Sequence, residues 1–293
     1  MTIAPFLPPM VLPTTVEAAL EALGRAGSDA ASGALPLAGG TWLMRAPLRH
    51  EARAETYVSL SRVAGFDRLE IGVDRIAIGP LATHDRLARA LPADPDLRAL
   101  VQAAGASANP GVRRLATIGG NLCAVAFAAS DFAPALLALD ARVELRSAAG
   151  VEDLSVTEFM TRRSQHSQPW LLCAITVPRG GRLSAHVRLP MRRAGDYPCA
   201  IVSVSAVLGA GLIRDARIAV GAVEAAARRW PGLEAAVEGQ ALRPEEIEAL
   251  ARARLADFAP RDAVDAPGWY RTAVLPALVR RAFDSLLAQR GTR

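Results

Sequence analysis

The sequence predicts an α+β protein of two domains, and three observations carry that expectation. The chain is 293 residues long, more than one compact domain usually holds. Its texture changes at Pro178-Arg179-Gly180-Gly181, a run of turn-forming residues that reads as a linker. Beyond it, long strand patterns come first and helical patterns follow, the order of helices packed on one face of an antiparallel sheet. The expected division is residues 1–178 and residues 184–290.

The elements read in order. Thr14-Thr15-Val16-Glu17 has capping-box spacing and opens a helix through Ala18, Leu20 and Leu23 that stops at Gly24. Leu35–Ala38 and Tyr57–Leu60 are short apolar strands, and Leu69–Val73 with Arg75–Ile78 alternates about Asp74 as a hairpin does. Asp85–Leu91, Asp96–Ala104 and Asp131–Leu139 have helical spacing. Arg142–Arg146 starts a further strand that turns at Ala149-Gly150. After the linker come three long strands, Ser184–Met191, Ile201–Leu208 and Leu212–Val220, then helices over Leu233–Glu238, Pro244–Phe258 and Trp269–Ala288.

Composition excludes several chemistries. The chain is 51% hydrophobic and 22% charged, enough for a packed core and unlike a disordered chain. Every apolar run is broken well short of the roughly 18 residues a spanning helix needs. Met1–Met10 carries no positive charge ahead of its apolar stretch, unlike a signal peptide. The expectation is a soluble, cytoplasmic protein without membrane insertion.

All 34 basic residues are arginine. That removes the lysine of a Walker-A phosphate loop and the lysine of Schiff-base catalysis. The arginine pairs, Arg113-Arg114, Arg162-Arg163, Arg192-Arg193, Arg228-Arg229 and Arg280-Arg281, are scattered, so they read as solvated faces and not as a nucleic-acid footprint. Cys123, Cys173 and Cys199 form no close-spaced pair, and His50, His84, His166 and His186 form no HExxH. A tetrahedral zinc site or an iron–sulfur cluster needs tighter ligand spacing.

Two glycine pairs carry the functional signal. In Leu37-Ala38-Gly39-Gly40-Thr41-Trp42 a strand runs into two glycines, which lets the backbone approach a ligand and turn its N–H groups inward as an anion nest. For that hexapeptide taken alone, an ordinary Gly-Gly turn is the default reading. Ala116-Thr117-Ile118-Gly119-Gly120-Asn121-Leu122 repeats the arrangement with Asp131 nearby, and two nests in one domain suit the two phosphates of a dinucleotide. Gly209-Ala210-Gly211 also follows a strand, but Arg214 stands at the third glycine position of a Rossmann fingerprint, so it reads as a hairpin turn. His84 beside Asp85 reads as a capping or packing residue. No nucleophile–base set is evident, which fits a protein whose chemistry belongs to a bound redox cofactor.

The ordered set Ala38-Gly39-Gly40-Thr41, Ala116–Leu122, Ser130-Asp131 and Pro134–Ala141 resembles the FAD-binding medium subunit of molybdenum hydroxylases, the xanthine dehydrogenase and aerobic carbon monoxide dehydrogenase family. Arg193-Ala194-Gly195-Asp196-Tyr197 is similar to the signature opening that family's C-terminal domain, and the likeness runs from Thr14 to about Ala288. The resemblance implies a vanillyl-alcohol-oxidase-type (PCMH-type) FAD domain of two α+β lobes. A C-terminal α+β domain with a three-stranded antiparallel sheet would follow.

By the same resemblance, Pro36, Leu37, Ala38, Gly39, Gly40, Thr41, Trp42 and Leu43 would hold the FAD diphosphate from one side. Thr117, Ile118, Gly119, Gly120 and Asn121 would hold it from the other, and Asp131 would bind ribose or nearby hydroxyls. Ser107 matches a position near the flavin and adenine, Leu172 one packing on the ring system, and Arg188 a basic flavin contact. Thr41 stands where covalently flavinylated relatives have His, which implies non-covalent FAD. Cys123–Ala129 departs from the family's Asn-Ala-Ser-Pro-like stretch and is one residue longer.

The implied partners are a small subunit with [2Fe-2S] clusters and a large molybdopterin subunit, in a dimer of heterotrimers. The flavin would take electrons from the cluster subunit and pass them to an external acceptor. A stand-alone FAD oxidoreductase of the same fold and a flavin-free structural subunit are the alternatives.

Overall fold

The structure is a computed structural model that describes residues 8–25, 33–165, 168–191 and 196–290. Most of the Met1–Met10 stretch, His166 and the Arg193-Ala194-Gly195 part of the family signature lie outside the described residues.

A small parallel sheet comes first. β1 (Met10–Val11), α1 (Val16–Arg25), β2 (Ala34–Leu37) and β3 (Thr56–Ser59) form a three-stranded sheet of order β1-β3-β2 with the helix against it. The cap of α1 is Thr15, whose Oγ1 accepts the Ala18 N–H at 3.1 Å, and not Thr14. The helix also runs one residue past Gly24. The register that buries Ala19 and Leu23 with Val58 and Phe66 starts the helix later than the capping-box spacing predicts.

The second lobe is built on a five-stranded antiparallel sheet. β4 (Leu69–Ile71) and β5 (Arg75–Ile78) are the expected hairpin. Then follow α2 (His84–Ala90), α3 (Arg98–Ala106), α4 (Pro110–Arg113), α5 (Ile118–Cys123) and α6 (Phe132–Ala138). β6 (Arg142–Ser147), β7 (Gly150–Ser155), α7 (Val156–Arg162) and β8 (Trp170–Pro178) complete it, in sheet order β4-β5-β8-β6-β7. β8, absent from the sequence reading, is the central strand. Its run Leu171-Leu172-Cys173 alternates between two cores, Leu171 and Cys173 toward the α1 side and Leu172 toward α2, α3 and α6. A strand buried on both faces shows no polar alternation to betray it.

The last unit has β9 (Leu183–Pro190), β10 (Pro198–Gly209), β11 (Leu212–Gly221) and β12 (Arg228–Arg229), in order β12-β11-β10-β9. The sheet is thus four-stranded, not three-stranded: two arginines pair with Ala219 and Val220 and extend its edge. Gly209 pairs with Leu212 across Ala210-Gly211, so the third glycine motif is the two-residue hairpin turn the sequence predicts.

Helices α8 (Pro231–Val237), α9 (Pro244–Arg252), α10 (Gly268–Ala273) and α11 (Leu275–Arg290) cover this sheet. The helix expected to reach Phe258 ends at Arg252. The chain turns there so that Phe258 meets the Trp230 ring at 4.7 Å and Asp257 accepts the Trp230 indole N–H at 2.8 Å. The helix expected over Trp269–Ala288 breaks at Val274, because Pro276 has no N–H to return to the preceding turn. The opposite face of the sheet packs on α3 and α6: Ser184 accepts the Ala99 N–H at 3.0 Å, and the Ser205 hydroxyl reaches the Ala138 carbonyl at 2.5 Å.

Candidate functional site

A cleft of about 870 Å³ opens between the small sheet, the second lobe and β9, a volume typical of cofactor sites. The first wall forms where β2 ends. Gly40 has φ +71°, and a Cβ on Gly39 would lie 1.8 Å from the Leu115 carbonyl oxygen. Only glycine lets this loop touch the Leu115–Ala116 backbone. Among the described residues, the N–H groups of Gly39, Gly40, Thr41 and Trp42 donate to no protein atom, while the Gly40 carbonyl accepts the Met44 N–H at 2.9 Å. Four successive unused amides beside a cleft form an anion cradle.

The second glycine motif is built differently. The Ile118 N–H donates to Ala82 O at 3.0 Å, Gly119 N–H to Pro80 O at 2.9 Å and Asn121 N–H to Thr117 O at 2.9 Å. Gly120 N–H donates to the Thr117 hydroxyl at 3.1 Å, which caps α5. The four amides from Ile118 to Asn121 are therefore engaged within the protein, and among the described residues of the expected second nest only the Thr117 N–H is not. Ile118 and Gly119 do not line the cleft. A Cβ on Gly119 would sit 2.7 Å from Pro80 O, so that glycine serves packing. Thr117, Gly120 and Asn121 do face the cleft. Asn121 Oδ1 accepts the Ser130 hydroxyl at 2.6 Å and the Phe132 N–H at 3.3 Å, an arrangement that turns the side-chain amide's donor end to the cleft.

Asp131 is buried, 4% exposed, yet borders the cleft. Its Oδ1 lies 3.3 Å from His186 Nε2 and 2.9 Å from Arg188 Nε. His186 Nδ1 is 2.8 Å from the Ser203 hydroxyl, and Arg188 also donates to the Ala106 and Asp196 carbonyls at 2.9 and 2.5 Å. One carboxylate oxygen thus ties α6 to β9 and β10, a pairing that offsets the cost of burying the charge.

The sequence does not single out His84 as a site residue, yet it lines the same cleft at 2% exposure. Its Nδ1 is 2.6 Å from the Ser107 hydroxyl and its ring meets Phe132 edge-on at 4.7 Å, while its Nε2 has no hydrogen-bond partner. Burial pushes its pKa down to about 4, so the ring is neutral at physiological pH. Thr83, and not His84, caps α2. Cys123 borders the cleft too, and burial pushes its thiol up to about 12, which leaves it unreactive.

Trp42, Phe127 and Tyr197 make up an aromatic stretch of the lining. Of the residues expected at the site, Pro36, Ala38, Gly39, Gly40, Thr41, Trp42, Leu43, Ser107, Thr117, Gly120, Asn121, Asp131 and Arg188 come together here. Leu37 stays in β2 beside Ser59. Leu172 is a correction: it is 4% exposed in the core and pairs with Leu145 in the sheet, away from the cleft. Phe127 left a faint signal in the sequence, as the sole aromatic between Asn121 and Asp131.

Comparison with known proteins places this geometry. Residues 5–180 match the family model of the FAD binding domain in molybdopterin dehydrogenase, and residues 185–286 match that of the CO dehydrogenase flavoprotein C-terminal domain. The chain is 29% identical over 250 residues to the nicotine 6-hydroxylase medium subunit of Paenarthrobacter nicotinovorans, covering 84% of this chain and 87% of that one. It is 30% identical over 282 residues to subunit alpha of the 6-hydroxypseudooxynicotine dehydrogenase complex of the same organism, covering 94% and 93%. A chain of the carbon monoxide dehydrogenase of Hydrogenophaga pseudoflava superposes with a TM-score of 0.85 at 26% identity, over 98% of this chain and 99% of that one.

Proposed function

The chain belongs to the FAD-binding family of molybdopterin dehydrogenases, and we propose that it is the flavin subunit through which a molybdenum hydroxylase passes its electrons outward. The observation that carries this reading is the run of four undonated amides from Gly39 to Trp42, in a loop that lines the same cleft as Asn121. Bound FAD would supply a carrier that takes up electrons from a partner and releases them to an external acceptor.

The residues present fit that cofactor. The Gly39–Trp42 amides and the Asn121 side chain suit the diphosphate, and Gly120 leaves room beside it. Arg188 and Asp131 would fix polar groups of the ligand, with Asp131 held in place by His186. Thr41 offers no imidazole for a covalent bond, so the FAD is held non-covalently.

In this reading residues 1–178 are the FAD domain and 184–290 the C-terminal domain. The partners are a small [2Fe-2S] subunit and a large molybdopterin subunit in a cytoplasmic dimer of heterotrimers. Acid precipitation of the loaded protein should leave flavin in the supernatant, and flavin retained in the pellet contradicts non-covalent binding. Co-expression with its genomic neighbours should yield a complex containing iron, sulfide and molybdenum. A monomer that never co-elutes with a cluster-bearing chain contradicts the electron-transfer role.

A further inference from the structure

Asp131 stands at the N-cap position of α6, where a carboxylate ordinarily accepts the first free amides of the helix. Here it makes no cap. The Ala133 N–H goes to the Ser130 hydroxyl at 3.1 Å and the Phe132 N–H to Asn121 Oδ1 at 3.3 Å. The carboxylate is thereby released from its own helix and turns to β9. Its Oδ1 meets His186 and Arg188. Its Oδ2 takes no partner among the described residues, and the residue lines the cleft.

The two β9 partners act differently. Arg188 Nε stands 2.9 Å from Oδ1, but its N–H is not directed at that oxygen and makes no hydrogen bond. The guanidinium is aimed instead by the Ala106 and Asp196 carbonyls. Such an ion pair attracts the carboxylate without fixing its angle, because the attraction depends on distance alone. His186 Nε2, 3.3 Å away, is the one side chain among the described residues that hydrogen-bonds the Asp131 carboxylate.

A carboxylate can only accept, so Nε2 carries the proton and Nδ1 is left as an acceptor. The Ser203 hydroxyl lies 2.8 Å from Nδ1. Ser203 is fully buried and makes no other side-chain hydrogen bond among the described residues, so its O–H donates to Nδ1 and fixes the tautomer. The backbone end is fixed as well, with the His186 N–H donating to Gln102 Oε1 at 2.8 Å. A chain of donors thus runs from Ser203 on β10 through His186 on β9 to Asp131 on α6. For packing alone, an apolar pair of the same shape would serve as well; what the polar chain adds is direction. His186 itself does not line the cleft.

We propose that His186, held in its Nε2–H tautomer by Ser203, is the positioning residue that aims Asp131 into the cleft toward the cofactor; the inference rests on the cofactor reading above. The C-terminal sheet thereby sets the angle of a cofactor-facing group that belongs to the other lobe.

The test is the FAD affinity of the full chain, measured by equilibrium titration of the flavin-free protein. The amide nitrogen of Gln reaches about where Nε2 stands, whereas that of Asn reaches only as far as Nδ1. His186→Gln should therefore keep a donor on Asp131 and bind FAD within about threefold of wild type. His186→Asn should weaken FAD by about tenfold, the loss of a hydrogen bond to a charged group. In an Asp131→Ala background the two variants should bind alike, because the residue through which His186 acts is gone.

Equal weakening by Gln and Asn, or a gap between them that persists in the Asp131→Ala background, would mean that His186 only supports the fold; the inference then fails while FAD binding stands. Unchanged affinity in His186→Asn overturns it too. If neither His186 variant folds, Ser203→Ala decides. The ring then loses the hydroxyl that fixes its tautomer, and FAD should weaken by about two- to fivefold; unchanged affinity overturns the inference. A wild-type chain that takes up no FAD overturns the cofactor reading and this inference with it.

Discussion

The glycine pairs Gly39-Gly40 and Gly119-Gly120 face one cleft from two walls, and glycine serves a different end in each. At the first pair the backbone must turn through φ +71° and press against Leu115, and its amides are left without partners. At the second pair the amides return to Pro80, Ala82 and Thr117, and the glycines admit close packing. One wall offers unpartnered amides; the other mainly holds its shape and offers the Asn121 side chain. The contrast shows that a glycine pair announces a close approach, while its neighbours decide whether the approach is to a ligand or to the protein itself.

The largest effect should separate the walls. Gly39→Ala places a methyl where the Leu115 carbonyl stands, 1.8 Å away, and cannot be relieved without moving both loops. It should cost more than about 3 kcal/mol, beyond ordinary overpacking, and abolish FAD binding, read by denaturation and flavin content. Gly119→Ala meets Pro80 O at 2.7 Å and should cost about 1–3 kcal/mol. Its folded fraction should still bind FAD with near wild-type affinity. Equal loss of FAD in both variants would erase the distinction between the walls.

Acid should weaken the second wall. His84 sits beside it, its backbone N–H donating to Ala116 O at 2.9 Å, and its folded ring pKa of about 4 lies below the ordinary 6.5. Above pH 6.5 both folded and unfolded chains carry it neutral and nothing is lost. As pH falls from 6.5 toward 4 the unfolded chain binds a proton that the folded chain refuses. Stability contributed by this group should drop by about 2 kcal/mol between pH 7 and pH 5. Urea denaturation at the two pH values, compared with His84→Phe, isolates the effect; an identical pH dependence in the variant would contradict it.

Two smaller effects sharpen the comparison further. A Cβ on Gly120 would stand 3.0 Å from Thr117 Oγ1 and 3.7 Å from Ala38 Cβ, so the branches of Gly120→Val reach toward the first wall. FAD affinity should fall at least about tenfold, or about 1.4 kcal/mol, in an equilibrium titration; unchanged affinity would place the diphosphate elsewhere. Gly209→Ala is the smallest change, because its Cβ meets only Arg214 Cγ at 3.6 Å. Stability should shift by less than about 0.5 kcal/mol with flavin content unaltered. A flavin loss confined to this variant would move the site to the C-terminal sheet.

Much of this architecture is legible in the residues themselves. The hairpin at Asp74, the helices after Thr83 and Asp131 and the long strands after Gly181 follow from alternation, periodicity and turn residues. β8 is hidden because both of its faces are buried, and α10 and α11 read as one helix until Pro276 is weighed as a break. At the site, the glycine motifs mark both walls. That Gly119 packs on Pro80, or that Leu172 faces the core, depends on partners distant in the chain. His84 looks like a helix-start residue because nothing local shows that Ser107 and Phe132 close over it.

Hydrogen exchange of the backbone amides with and without FAD tests the central claim most directly. Unpartnered amides exchange quickly and slow when a ligand accepts them, whereas amides already bonded in the fold change little. The account predicts strong new protection over Gly39–Trp42 on adding FAD, with little change over Ile118–Asn121. Protection confined to Ile118–Asn121, or none in either segment, would contradict it.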